Sequence, residues 1–130
     1  YVRTLAVDLG AKLGYPAHMS DLTRLASGGF TVGQAVTLAQ VSELMEKGQI
    51  EQALRPIEEA MSAFPRIDLS DADWQKVKNG QLMPLKNFGL KENVPGLLAF
   101  FYQDQLVSLY AQHPEKKGLL KPSKVIRNEV

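Results

Sequence analysis

The chain contains no cysteine. Disulfides and thiolate-held metals are therefore excluded, and a reducing, cytoplasmic location is expected. Histidine is scarce. His18 and His113 lie far apart, neither within a His-x-x-x-His or carboxylate pattern, so no metal site is expected. No apolar run approaches the ~20 residues of a membrane-spanning helix, and no basic segment precedes an apolar stretch as in a secretory signal. A membrane role is not expected. Gly28-Gly29 lacks the spacing and the lysine of a phosphate-cradling loop. Ser20, His18 and Asp21 lack the sharp turn that exposes a nucleophilic serine. An initiator methionine is also missing. The first residue is Tyr1, and the chain is read as a piece of a longer protein.

What is present suits a folded protein. Apolar residues make up 45% of 130 residues, enough for one ordinary domain or two small ones. The net charge is only +1, but it is unevenly spread. Residues 1–64 hold five basic and seven acidic side chains, whereas residues 65–130 hold ten and seven. Lys116, Lys117, Lys121, Lys124 and Arg127 cluster near the end, where they would suit either a solvated surface or phosphate contact.

Val2, Leu5, Ala6, Leu9 and Leu13 recur at helical spacing, which predicts a helix over 4–13 closed by Gly14. Leu22–Leu25 reads as a short strand, followed by a turn at Gly28-Gly29. Thr31 with Gln34 and Thr37 with Gln40 have capping-box spacing, and the second opens a helix that ends at Gly48. Pro56 starts another helix, with Ile57, Ala60, Met61 and Phe64 on one side, and Pro65 ends it. Ser70 with Asp73 caps a helix that reaches Lys78 and closes at Asn79-Gly80. The pattern then becomes strand-like. Leu97–Tyr102 and Leu106–Ala111 form a hairpin around Gln103-Asp104-Gln105, with one or two further strands over 118–121 and 124–127. The fold class is α+β, divided near residues 65 and 66. The first part has helices but no sheet for them to cover, so it should expose apolar surface. The second part reads as a small β-barrel or sandwich.

One by one, the residues at the start are ordinary. Together they form a long spaced pattern: Tyr1-Val2-Arg3-Thr4-Leu5, Asp8-Leu9-Gly10, Leu13-Gly14, Ala17-His18-Met19, then Leu22-Thr23-Arg24-Leu25 with Gly28 and Phe30. This resembles the third motif of the tRNA pseudouridine synthase B family. The stretch Leu54-Arg55-Pro56-Ile57-Glu58-Glu59-Ala60 is similar to the family's link to its terminal domain. Lys78-Asn79-Gly80 and the closing strands look like a PUA-type RNA-binding barrel. Thr23 departs from the family's usual first arginine of a pair, which removes one positive charge, and Gly29 stands where proline is common.

The resemblance implies a division into residues 1–65, the C-terminal part of a synthase catalytic domain, and residues 66–130, a PUA-like RNA-binding domain. It implies an isomerase that converts uridine-55 in the T loop of tRNA to pseudouridine, with no cofactor and no metal. The family's essential aspartate lies in an upstream motif absent here, so this chain alone would be inactive. Arg3 would pair with that aspartate, Tyr1 would lie against the flipped-out uracil, and Leu22 would wall the pocket. Arg24, Lys116, Lys117, Lys121 and Lys124 would bind RNA. The partners implied are the T arm and acceptor stem of tRNA and the missing N-terminal part of the catalytic domain. Two other classes fit the same residues less fully: a non-catalytic RNA-binding module, and a protein-interaction domain offering the helices between Thr37 and Phe64.

Overall fold

The computed structural model describes residues 1–91, Val94 and 96–130. These form two compact units, Tyr1–Ala35 and Val36–Val130. Helix α1 of the first unit spans Val2–Leu13, two residues earlier than the spacing predicts, with Tyr1 at its N-cap. Thr4 Oγ1 donates to the Tyr1 carbonyl at 3.1 Å, which adds a partner at that end. Gly14 ends the helix at φ 78°. Its N–H reaches the Ala11 carbonyl at 3.2 Å, and the Tyr15 N–H reaches the Gly10 carbonyl at 3.0 Å. The chain then folds back over Gly10, the one buried residue of this unit. A Cβ at Gly10 would sit 2.5 Å from the Ala17 Cβ and 2.7 Å from the Tyr15 carbonyl oxygen. Only glycine lets the return segment pass so close.

Strands β1 (Ala26–Ser27) and β2 (Phe30–Thr31) form a minimal hairpin. Gly28 and Gly29 take φ of +57° and +86°, the left-handed pair that a two-residue hairpin turn requires. The strand expected at Leu22–Leu25 is not formed. The Gly-Gly turn sets the register so that pairing begins at Ser27 and Phe30 and ends at Ala26 and Thr31. The Leu22 N–H is taken instead by Asp21 Oδ1 at 2.7 Å.

In the second unit, Thr37 caps α2 (Leu38–Glu46) with a reciprocal box. The Gln40 N–H donates to Thr37 Oγ1 at 3.2 Å, and the Thr37 N–H donates to Gln40 Oε1 at 2.8 Å. Helix α3 is a single turn, Ile57–Ala60, shorter than the pattern to Phe64 suggests. The chain leaves the helix because Met61 and Phe64 turn to pack beneath the sheet. Pro65 then leads into β3 (Arg66–Asp68), a strand the sequence does not announce, since two of its three residues are charged. Helix α4 (Asp71–Val77) is capped as expected, with the Asp73 N–H donating to Ser70 Oγ at 3.2 Å.

Strands β4 (Met83–Pro84), β5 (Leu97–Tyr102), β6 (Gln105–Gln112) and β7 (Leu119–Val125) join β3 in one five-stranded sheet of order β3-β5-β6-β7-β4. Only the β3–β5 pair is parallel. The sheet curls into a half-barrel, and the fold is α+β. Its hairpin loop is two residues, Gln103 and Asp104, at φ of +48° and +62°. Of the one or two strands expected over 118–121 and 124–127, one forms, β7, with a bulge.

Both faces of the sheet are covered. Trp74, Val77, Met83, Leu98, Phe100, Tyr110 and Leu120 form the larger core. There the Phe100 and Tyr110 rings stack at 4.4 Å. The Tyr110 hydroxyl is not left unpaired, since it donates to the Gln81 carbonyl at 2.8 Å, and burial pushes its pKa up to about 12. The opposite face holds Ala99, Phe101, Leu106 and Leu109, with Met61 and Phe64 against them. The line drawn from the sequence between residues 65 and 66 falls inside this second unit.

Candidate functional site

The first unit brings four of the expected site residues around one cleft. Tyr1 and Arg3 come from the start of α1. Leu22 and Arg24 come from the extended return segment. With Val2 they line a space of about 470 Å³. Leu22 and Val2 make its apolar wall, Tyr1 supplies an aromatic face, and the two arginines supply the charge. Arg24 Nη1 is steadied by Ser27 Oγ at 3.3 Å. Among the described residues no carboxylate lines the cleft, and Arg3 has no acidic partner at ion-pair distance. Asp8 lines a separate hollow with Leu5, Leu9 and Lys12. Such a cleft can hold a flat ring against an apolar wall and can accept an anion. Its own residues offer only the Tyr1 hydroxyl as a proton-transfer group.

This unit is also poorly covered. Tyr1, Val2, Leu5, Val7, Leu9, Leu13, Tyr15, Leu22 and Leu25 are all exposed. Apolar side chains on every side of α1 are the signature of an element that expects further protein around it.

The expected RNA-binding lysines of the second unit lie in the β6–β7 turn and along β7. Lys116 and Lys117 are exposed in the turn between the strands. Lys121 pairs across from Ala111 and Lys124 from Leu109, with a register shift between. Ser123 is the extra residue of that bulge. Three residues apart on a regular strand would mean opposite faces; the bulge restores Lys121 and Lys124 to one face. Arg127 does not join them. It donates from Nη1 to Glu58 Oε1 at 2.7 Å and to the Leu106 carbonyl. Burial acts to raise the Glu58 pKa, but the Leu106 N–H and the Arg127 guanidinium outweigh it and hold the carboxyl below its ordinary range.

Comparison with known proteins points to one family. Residues 3–62 match the model of the tRNA pseudouridylate synthase B C-terminal domain. The chain is 43% identical over 128 residues to tRNA pseudouridine synthase B of Bacillus cytotoxicus, covering 98% of this chain and 41% of the relative. It is 45% identical over 127 residues to the protein of the same name from Geobacillus thermodenitrificans, covering 98% and 42%. Over nearly its whole length the chain is similar to members of the tRNA pseudouridine synthase B family. It spans about two fifths of the length of the curated relatives it matches. Among solved structures it resembles a chain of a Cbf5-Nop10-Gar1 complex, with a TM-score of 0.71 and 26% identity over 98% of this chain and 44% of that one.

The family-model match holds Arg3, Leu22 and Arg24, while Tyr1, Lys116, Lys117, Lys121 and Lys124 lie beyond it. Two arrangements leave little trace in the sequence. The Glu58–Arg127 pair spans 69 positions and left no local signal. His113 was set aside as a lone histidine, although His-Pro followed by Glu115 and Lys116 is a turn in which a ring nitrogen can meet backbone N–H groups.

Proposed function

We propose that this chain is the C-terminal part of an enzyme that isomerises uridine-55 of the tRNA T loop to pseudouridine. Residues 1–65 would complete its catalytic domain and residues 66–130 would form a PUA-like RNA-binding domain. The observation that carries the reading is the cleft that gathers Tyr1, Arg3, Leu22 and Arg24 without a carboxylate of its own, in a chain similar to members of this family.

The chemistry asked of such a site is specific. The bond from N1 of uracil to the ribose breaks, the ring turns, and a carbon–carbon bond to the ribose forms. The proton on that ring carbon leaves, and nitrogen gains one, so the product is an isomer. Tyr1 offers a face for a base removed from its stack and a hydroxyl near the departing proton. Leu22 keeps the wall apolar. Arg3 is free to hold a carboxylate in a fixed orientation and keep it ionised. That carboxylate, the family's aspartate, would come from the part of the enzyme that precedes this chain and covers α1. Arg24, Lys116, Lys117, Lys121 and Lys124 would meet phosphates of the T arm and acceptor stem, positioning the tRNA rather than reading its bases. The enzyme would act in the cytoplasm.

The test is release of tritium from T-loop RNA labelled at C5 of uracil. The complete enzyme should release it, and the 130-residue chain alone should not. A complete enzyme that binds tRNA yet releases none would overturn the reading in favour of a non-catalytic RNA-binding module.

A further inference from the structure

We propose that His113 is a positioning residue for phosphate contact: its ring presets the turn that carries Lys116 and Lys117. The inference rests on the tRNA-binding reading of the second unit and goes beyond it by naming a hydrogen-bond-accepting side chain as part of the grip.

The turn joining β6 to β7 is tied at several points. The His113 N–H donates to the Leu119 carbonyl at 2.8 Å and closes the base of the loop. His113 Nδ1 accepts from the Glu115 N–H at 3.2 Å and from the Lys116 N–H at 3.0 Å. A ring nitrogen that accepts carries no hydrogen, so the ring hydrogen is on Nε2. Pro114, between the ring and its two donors, fixes its own φ and brings no competing N–H. At the far end, Gly118 turns the chain at φ +73°, and its carbonyl accepts from the Leu85 N–H at 2.9 Å.

The physical consequence concerns entropy. Lysine is a flexible point charge, and a loop that also had to order its backbone would lose much of what a phosphate contact gains. Here the Lys116 backbone is held before any anion arrives. The side chains of Lys116 and Lys117 remain to be ordered. Lys86 lines the cleft that Gly118 also lines, and Glu115 is the opposing charge within the turn.

This role differs from that of a histidine that binds phosphate itself. A phosphate-binding histidine acts as a donor or cation. His113 acts as an acceptor, so asparagine, with an acceptor oxygen and no possible positive charge, should replace it.

The experiment uses the complete protein and an unmodified tRNA transcript over a salt series. Lys116→Ala and Lys117→Ala together should weaken binding about tenfold at low salt and lower the slope of log affinity against log salt by roughly two, about one for each lysine. His113→Ala should weaken it about three- to fivefold, and by less than about twofold when both lysines are already alanine. His113→Asn should bind within about twofold of wild type, with amide exchange at Lys116 as slow as in wild type. If the lysine variants weaken binding but His113→Ala does not, the positioning role is wrong and the RNA reading stands. Failure of asparagine to restore binding also overturns it, as does an undiminished loss without the lysines. If the lysine variants bind normally, the RNA reading of this turn fails first.

Discussion

At the residue scale, a few side chains hold geometry that no neighbour could supply. Gly10 is one. Its missing Cβ leaves room for Ala17 and the Tyr15 carbonyl, and so brings the segment bearing Leu22 and Arg24 back beside Tyr1 and Arg3. Gly10→Ala should push that segment away and lower turnover of the complete enzyme at least tenfold, as a displacement of about an ångström can. Steady-state kinetics would check this; unchanged turnover would mean that the cleft tolerates the shift. Glu58 is another. Its side chain is 23% exposed, and it ties α3 to the Leu106 backbone and to Arg127. Its folded pKa lies below the unfolded value, so its contribution is fully present above the unfolded pKa of about 4.5 and is lost as pH falls through the folded pKa. Glu58→Gln should cost about 1–2 kcal/mol near pH 7, and that gap should close as pH falls through the folded pKa. Chemical denaturation on both sides of that pKa measures it; a constant gap would contradict the charge-based account.

At the element scale, local signals worked where one residue type dictates one geometry. Gly14 ends α1, Ser70 and Asp73 open α4, and Thr37 with Gln40 opens α2, all as the spacing indicates. What stayed hidden depends on partners distant in sequence. The charges of β3 are tolerated because Arg66 lies over the Phe101 ring at 4.2 Å and meets Asp68 and Asp104, pairs that no window of a few residues reveals. The short α3 reflects Met61 and Phe64 being drawn to the sheet, a tertiary pull stronger than helical periodicity. The bulge at Ser123 left the last segment readable as one strand or two. The candidate site was legible for the opposite reason, because Tyr1, Arg3, Leu22 and Arg24 sit in one continuous spaced motif. The hairpin turn offers a test of this scale. Gln103 adopts φ +48°, which asparagine tolerates better than glutamine. Gln103→Asn should raise stability by about 0.5 kcal/mol, seen as a rise of a few degrees in Tm. A lower Tm would indicate that the Gln103 contact to the Tyr102 hydroxyl outweighs backbone preference.

At the scale of the whole molecule, the two units differ in kind. Val36–Val130 has a core on each face of its sheet, including the protein's single tryptophan, Trp74, at 4% exposure. It should unfold cooperatively, with Trp74 fluorescence and far-UV circular dichroism changing together. Tyr1–Ala35 buries one glycine and exposes its leucines, so as an isolated peptide it should show little stable structure. The chain spans about two fifths of the length of its relatives; one unit has its own sheet, and in the proposed reading the other would supply a wall to something larger. The most direct test of that division of labour is Arg3→Ala in the complete enzyme, measured by single-turnover tritium release from uracil C5 beside tRNA affinity. Turnover should fall at least about a hundredfold while affinity changes less than about threefold, because in the proposed role Arg3 would hold the catalytic carboxylate and not the RNA. Wild-type turnover, or an equal loss in affinity, would contradict that role.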